Sequence, residues 1–287
     1  MDDKAASFKR IYDYYEKQNS NIVVGIDGYV DEVWLIVESR KSSDDFKIFE
    51  KMSGYANAIL TRGTGGMSFE IISKRRTYGG FTANTGQAAG QLCGSLTMLG
   101  MFGANGGIDP VFKGFCDNYT VHSIGEPIIT TIYEFTDGKI MQSQNEGARE
   151  RYWDQIVNAV TCAGLKQAYG EADVVGFGYF SQEKSSFEGI LEKLIDNFLE
   201  KGKCHRIVMD FANIQHLSKE RLLDALQTLA VLNKRVPISL SLNEHEGKII
   251  FSYKNRDFAW DEPLPSTKDD IAYSLNCALS KESGSEM

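Results

Sequence analysis

From residue 172 onward, short apolar runs alternate with amphipathic stretches. Runs at 172–177, 204–209 and 236–242 are each the length of one buried strand, and helical spacing of apolar residues fills 183–200 and 218–233 between them. Strand and helix alternating in this way predict parallel strands joined by helices, a sheet covered on both faces. The first half follows the pattern more loosely. Residues 4–18 carry Phe8, Ile11, Tyr12 and Tyr15 at helical spacing, and Asn19-Ser20-Asn21 ends that helix. IVVGI at 22–26 is a buried-strand run, 33–37 is a second strand, and 44–60 reads as a helix with Phe46, Phe49, Ala56 and Ile59 among its apolar positions. Alternating Met67, Phe69 and Ile71 predict a half-buried strand, with another at 96–102 and a short helix at 109–115. The stretches 121–135 and 139–141 read as strands joined by a hairpin turn at Asp137-Gly138. A loop at 149–153 leads into a helix at 154–165, and a last helix at 267–281 precedes a polar tail.

The stretch 78–103, YGGFTANTGQAAGQLCGSLTMLGMFG, concentrates the unusual chemistry. Gly79 and Gly80 let the backbone approach a ligand and adopt conformations that a Cβ forbids. Asn84 follows with one carbonyl acceptor and two amide donors, a set suited to a polyhydroxylated molecule. Ala83, Gly86, Ala89 and Gly90 give the helix a small-residue face for close packing on a sheet.

Other polar groups fall at the ends of predicted strands. Asp27 and Asp31 lie at or just past the carboxyl end of 22–26, Asp210 and Asn213 follow 204–209, and Asn243 and Glu246 follow 236–242. That is the edge of an open α/β sheet where ligands collect. A carboxylate and an amide three residues apart on a starting helix share a side, and hard oxygen ligands suit Mg²⁺ held through water and substrate phosphates. The competing explanation is that Asp210 and Asn243 are helix N-caps, which both residue types favour. Occurring together on one edge, they favour a site.

Composition narrows the classes. The 287 residues are 42% hydrophobic, enough to bury a substantial core, and they read as a single domain over 1–287. A net charge of −8 with scattered basic residues argues against nucleic-acid binding. No apolar run reaches the roughly 18–20 residues needed to cross a membrane, and the N-terminal sequence MDDKAASFKR has no signal-peptide pattern. Five scattered cysteines without a CxxC pair point to neither a disulfide framework nor a zinc site, so a reducing cytoplasm is expected. Gly63, Gly65 and Gly66 lack the spacing and the Lys-Ser/Thr of a phosphate loop. The first strand lacks the glycine fingerprint of a dinucleotide-dependent oxidoreductase.

Taken in order, IVVGIDGYVD, YGGFTAN, LGMFG, MDFAN and SLNEHE resemble the ribokinase-like (PfkB-type) carbohydrate kinases over roughly 20–247. The more specific parts are the GG-x-x-x-N at 79–84 and the N-x-x-E at 243–246. The resemblance implies a three-layer α/β/α doubly wound sheet with a small β lid, drawn from strands at about 33–37, 67–73 and 128–142. It implies transfer of the γ-phosphate of ATP to a hydroxymethyl group of a sugar or nucleoside. Substrate hydroxyls would be bound by Asp31, or by Asp27, together with Gly79, Gly80 and Asn84. Asn243 and Glu246 would organise Mg²⁺ through water and the phosphates of ATP, with Asp210 and Asn213 nearby in the cleft.

One departure stands out. The family's Gly-x-Gly-Asp, whose amides stabilise the transferred phosphoryl group and whose Asp accepts the hydroxyl proton, occurs nowhere in these residues. The sequence therefore leads to the expectation of a kinase-family chain truncated at its C-terminus, its catalytic Asp unidentified. Either low activity or a non-catalytic sugar- or nucleoside-binding protein follows from that expectation. Homodimerisation through the lid, or through an uncovered C-terminal face, is expected with it.

Overall fold

The structure, a computed structural model, describes residues 19–63, 65–104, 107–144, 153–179 and 187–254. The expected helices at 4–18 and 267–281, the start of the one at 183–200 and the loop at 149–152 lie outside the described residues. In chain order the elements are β1 Asn21–Gly25, β2 Tyr29–Arg40, β3 Phe46–Ile48, α1 Met52–Thr61, β4 Ile71–Gly79, α2 Gly80–Ala89 and β5 Ser95–Gly100. Then follow α3 Lys113–Cys116, β6 Thr120–Ser123, β7 Ile128–Phe135, β8 Gly138–Ser143, α4 Trp153–Gly170, β9 Val174–Gly178 and α5 Phe187–Asn197. The last are β10 Arg206–Asp210, α6 Lys219–Asn233, β11 Ile238–Ser241 and α7 Glu244–Lys254.

Six strands form a wholly parallel sheet in the order β11-β10-β9-β1-β5-β6. Successive residues of β1 point to opposite faces, so Val23 joins one core and Val24 the other. On the first face, Val175, Phe177, Ile207 and Met209 pack with apolar residues of α4, α5 and α6. On the other, Leu96 and Met98 pack with Ala83 of α2 and with Phe112 and Phe115. Helix α2 comes close enough to β9 that a Cβ on Gly178 would collide with the Phe81 side chain. Apolar strands covered on both sides are the α/β arrangement that the periodicity predicts. Among the described residues, no helix is long and apolar enough to cross a membrane.

A second sheet stands over the carboxyl edge of the first. Strand β2 lies between β4 and β7, pairs at its far end with β3, and β7 continues into the β8 hairpin. Here two expectations need correction. The helix read over 44–60 is a strand and a helix. Phe46 and Ile48 pair with Arg40 and Val37, and Arg40 closes the intervening turn by donating to the carbonyls of Ser42 and Ser43. The helix starts only at Met52, whose N–H donates to Asp137 Oδ1 at 3.0 Å, a cap supplied by the β7–β8 turn and invisible to local sequence. The strand read at 67–73 begins at Ile71 and runs on to Gly79. Phe69 instead packs edge-on against Phe49 and Tyr55 beneath α1. The stretch 121–135 divides where the chain leaves β6 for β7 and so passes from one sheet to the other.

Candidate active site

Between the carboxyl edge of the parallel sheet and the facing side of the second sheet lies a cavity of about 620 Å³. Asp31, Gly80, Asn84, Asp210, Asn213, Asn243 and Glu246 line it, so residues expected from four separate stretches meet in one place.

Asp31 sits on β2, opposite Thr77 of β4 and Thr130 of β7. A Cβ on Gly79 would come within 2.6 Å of its carboxylate, so that glycine leaves room for the acid. Burial raises the Asp31 pKa, while Lys139 and Arg75 pull it back. Asp27 occupies a different position. It is fully buried behind the cavity wall, and its carboxylate accepts from Phe81 N at 2.8 Å, Thr82 N at 2.9 Å and Thr82 Oγ1 at 2.5 Å. It thus serves the orphan amides at the N-terminus of α2. Of the two acids left open by the sequence, Asp31 faces the cavity and Asp27 holds the helix. Gly80 explains the glycine pair, because its φ of +89° is in the left-handed region and a Cβ there would strike Asp27. Gly79 acts only through Asp31 and does not line the cavity. Asn84 donates one amide hydrogen to Gly80 O at 2.8 Å, which keeps its carbonyl oxygen and second amide hydrogen for a ligand.

The opposite wall is acidic. Asn243 and Glu246 form a reciprocal cap at the start of α7. Asn243 Oδ1 accepts from Glu246 N at 2.9 Å, and Glu246 Oε2 accepts from Asn243 N at 3.0 Å. A further bond runs from Asn243 Nδ2 to Glu246 Oε1 at 2.7 Å. Asn243 is therefore both a cap and a cavity residue. Asp210 is not a helix cap: it ends β10, and Asn213 instead caps the following turn by accepting from Gln215 N at 3.0 Å. Burial, reinforced by the charges of Glu246 and Asp27, pushes the Asp210 pKa up to about 6. Burial likewise raises that of Glu246, against the hydrogen bonds from Asn243.

The donor set bears on a metal. Among the described residues, no three His, Cys, Asp or Glu side chains cluster closely enough to cage an ion. Oxygen donors on an acidic wall, with the Glu246 carboxylate already committed to Asn243, suit Mg²⁺ bound mainly by water and phosphate oxygens. Asp210, Asn243 and Glu246 are the residues that would face such an ion.

Several lining residues escaped the sequence reading, among them Tyr29, Thr130, Lys139, Met141, Ser143, Tyr179, Gln215 and His245. Lys139, Met141 and Ser143 follow the two-residue period of β8, a signal available in the sequence once one face of the hairpin is assigned to a ligand. Tyr179 gave no such signal. It follows β9 with φ of +60°, and Ala212, just past β10, has φ of +56°. Backbone strain of this kind collects at functional sites.

Comparison with known proteins adds a lineage. The family model for prokaryotic ketohexokinase matches residues 11–262. A ketohexokinase of Haloferax volcanii is 22% identical over 237 residues, covering 80% of this chain and 61% of its own length. The chain thus spans less than two thirds of that curated relative. A ribokinase from Giardia lamblia superposes with a TM-score of 0.51 at 13% identity, over 92% of this chain and 66% of that one. A carbohydrate kinase from Agrobacterium tumefaciens does so with a TM-score of 0.52 at 11% identity, over 90% and 67%. At such identities these two structures speak to the fold alone, and the fold is ribokinase-like.

Proposed function

The chain belongs to the prokaryotic ketohexokinase family, and from that premise we propose that the protein transfers the γ-phosphoryl group of ATP to a hydroxymethyl oxygen of a ketohexose or closely related sugar. One observation carries the reading. The acceptor-type group of Asp31 and Asn84 and the acidic group of Asp210, Asn243 and Glu246 line the same cavity.

In this reading Asp31 and the Asn84 carbonyl accept hydrogen bonds from sugar hydroxyls, Gly80 allows close approach beside them, and Gly79 leaves room for the Asp31 carboxylate. Asp210, Asn213, Asn243 and Glu246 lie on the side where the phosphates bind. A Mg²⁺ ion, when bound there, supplies charge neutralisation for the phosphates. The second sheet acts as a lid that excludes water from the transfer. Lys139 is the one lysine or arginine among the described cavity-lining residues. It carries positive charge from the lid toward a reaction that develops negative charge on phosphoryl oxygens.

A second reading is sugar binding without transfer, supported by the Asp31 and Asn84 acceptors that line the cavity whether or not a phosphate donor binds. A single experiment separates the two. The full-length protein is assayed for ADP release with Mg-ATP across ketohexoses, aldohexoses and nucleosides, and for sugar binding by calorimetry. Ketohexose-dependent ADP release, lost by about 10- to 100-fold in Asp31→Asn as expected for a hydrogen bond to a charged group, supports transfer. Binding of the ketohexose without ADP release supports the second reading. Binding of none of these compounds overturns both.

A further inference from the structure

Tyr179 stands where the strand order of the parallel sheet reverses. Strands β5 and β6 extend from β1 in one direction and β9, β10 and β11 in the other, and Tyr179 is the first residue past β9, next to β1. A crevice at such a reversal is the usual ligand position in an open α/β sheet. The residue lines the cavity, and its ring packs edge-on against Tyr29, with centroids 5.2 Å apart and planes at 69°. Tyr29 also lines the cavity, so two packed aromatic rings contribute to its wall.

Three further features concern Tyr179 itself. Its φ of +60° is a conformation that bulky L-residues rarely adopt, and the backbone is held there by a bond from Tyr179 N to Asp210 O at 3.1 Å. Its hydroxyl has no hydrogen-bond partner among the described residues, in a cavity where most polar groups are partnered. Burial raises the phenol's pKa, and the charges of Asp27, Asp210, Asp31 and Glu246 push it further the same way. The phenol stays protonated at neutral pH, and its uncommitted hydrogen is a donor among acceptors.

We propose that Tyr179 positions the acceptor sugar: its ring, beside that of Tyr29, supports the apolar C–H face of the sugar in its cyclic form, and its hydroxyl donates to a sugar oxygen. Asp31 and the Asn84 carbonyl can only accept, so they recognise hydroxyl hydrogens. Tyr179 adds a donor beside the second amide hydrogen of Asn84, and the flat ring selects a cyclic sugar over an open-chain polyol of similar size. The inference rests on the cavity being the acceptor site.

The test measures affinity by calorimetry, and KM and kcat by ADP release, on the full-length protein with a cyclic ketohexose and an open-chain hexitol. Tyr179→Phe keeps the ring and loses the donor. It should weaken ketohexose affinity and raise KM by about 10-fold, as expected for one hydrogen bond, with kcat little changed. Tyr179→Gly removes the ring while accommodating the positive φ, so it should fold at least as stably as Tyr179→Ala. It should lose about 100-fold in ketohexose affinity and narrow the gap between ketohexose and hexitol, whereas Tyr179→Phe keeps that gap. Wild-type affinity in both Tyr179→Phe and Tyr179→Gly, with the wild type binding ketohexose, overturns the role of Tyr179 and leaves the acceptor site standing. A wild type that binds no sugar overturns the acceptor site, and this inference with it. A fall in kcat alone, at unchanged KM and affinity, also overturns the positioning role.

Discussion

In the parallel sheet, β1 is flanked by strands on both edges and cores on both faces, and its side chains divide between two large apolar clusters. The second sheet mixes parallel and antiparallel pairs. Its own apolar cluster is small, built on Ile36, Phe49 and Phe135 under α1. Much of what joins it is ionic and near solvent. Glu134 pairs with both Lys74 and Arg75 across the sheet, Arg40 pairs with Glu70 at 2.6 Å, and Arg76 reaches Asp109 in the loop that follows β5. The cavity therefore has one wall fixed by close packing and another held by contacts that cost little to rearrange. Elements that close over ligands are drawn from the less stable parts of a fold. The contrast implies that the acidic wall is the more rigid one, while Asp31, Thr130 and Lys139 line the wall that rearranges more readily.

Equal stability of the two sheets would break the comparison, and matched core truncations measure it with the largest expected effect. Phe177 on β9 and Phe135 on β7 are both buried, at 1% and 8% exposure, in cores of very different extent. Phe177→Ala should cost about 3–5 kcal/mol, the range for a large cavity in a core that cannot collapse. Phe135→Ala should cost about 2 kcal/mol, because the lost burial is partly recovered by a shallow cluster open to relaxation. Denaturant unfolding gives both numbers. Equal losses would mean that the second sheet is as firmly built as the first.

The same difference decides what could be read from the sequence. Strands buried on both faces are apolar through their centres, so the apolar cores of 22–26, 172–177 and 204–209 stand out, and these stretches fall within a few residues of β1, β9 and β10. The second sheet needs apolar residues only where its cluster or the body covers it. Strand β4 reads IISKRRTYG, whose charged centre pairs with Glu32, Asp109 and Glu134. Such a strand has no apolar periodicity to find, and the apolar residues just before it drew the boundary too early. Helix α1 likewise begins where Asp137 caps it from 85 residues away. Within the cavity, Asp31, Asp210 and Asn243 were legible as polar residues near the ends of apolar runs, and Asn84 as the amide that follows a glycine pair. Tyr179 was not, because an aromatic residue after an apolar strand looks like more core until its φ is known.

Arg76 sharpens the comparison at the joint between the sheets. Its guanidinium makes two parallel bonds to Asp109, both at 2.8 Å, and reaches Glu32 at 3.3 Å. Asp109 also caps the turn at Pro110–Phe112, so the pair ties β4 to the body. The arginine side chain is 38% exposed, so solvent screens much of the attraction. Arg76→Met should cost about 1 kcal/mol at low salt, and the difference from wild type should shrink in 1 M salt, where the screening length is about 3 Å. A salt-independent loss would make Arg76 a packing element rather than an electrostatic tie.

The smallest expected effect compares the two acids that face each other across the cavity, Asp210 from the parallel sheet and Asp31 from the second. Both have native pKa values above the unfolded one, so both hold protons in the folded state that the unfolded chain has already released. For Asp210 the window lies between the ordinary 3.8 and about 6. Within it the native state binds more protons than the unfolded state, so this acid makes stability fall as pH rises, and the penalty is complete above the native pKa. Glu246 and Asp27 deepen the penalty at Asp210, whereas Lys139 and Arg75 offset part of it at Asp31. Without ligand, Asp210→Asn should therefore stabilise the protein at pH 7 by about 1 kcal/mol, after discounting for solvent screening of a partly buried group. Its advantage should disappear as pH falls below about 4, where the native and unfolded aspartates are both protonated. Asp31→Asn should show the same sign and a smaller gain. Thermal melts at pH 4, 5, 6 and 7 read both. If Asp31→Asn gained as much as Asp210→Asn, the two walls would be electrostatically equivalent, and the proposed assignment of a cation and phosphates to the acidic wall would lose its support.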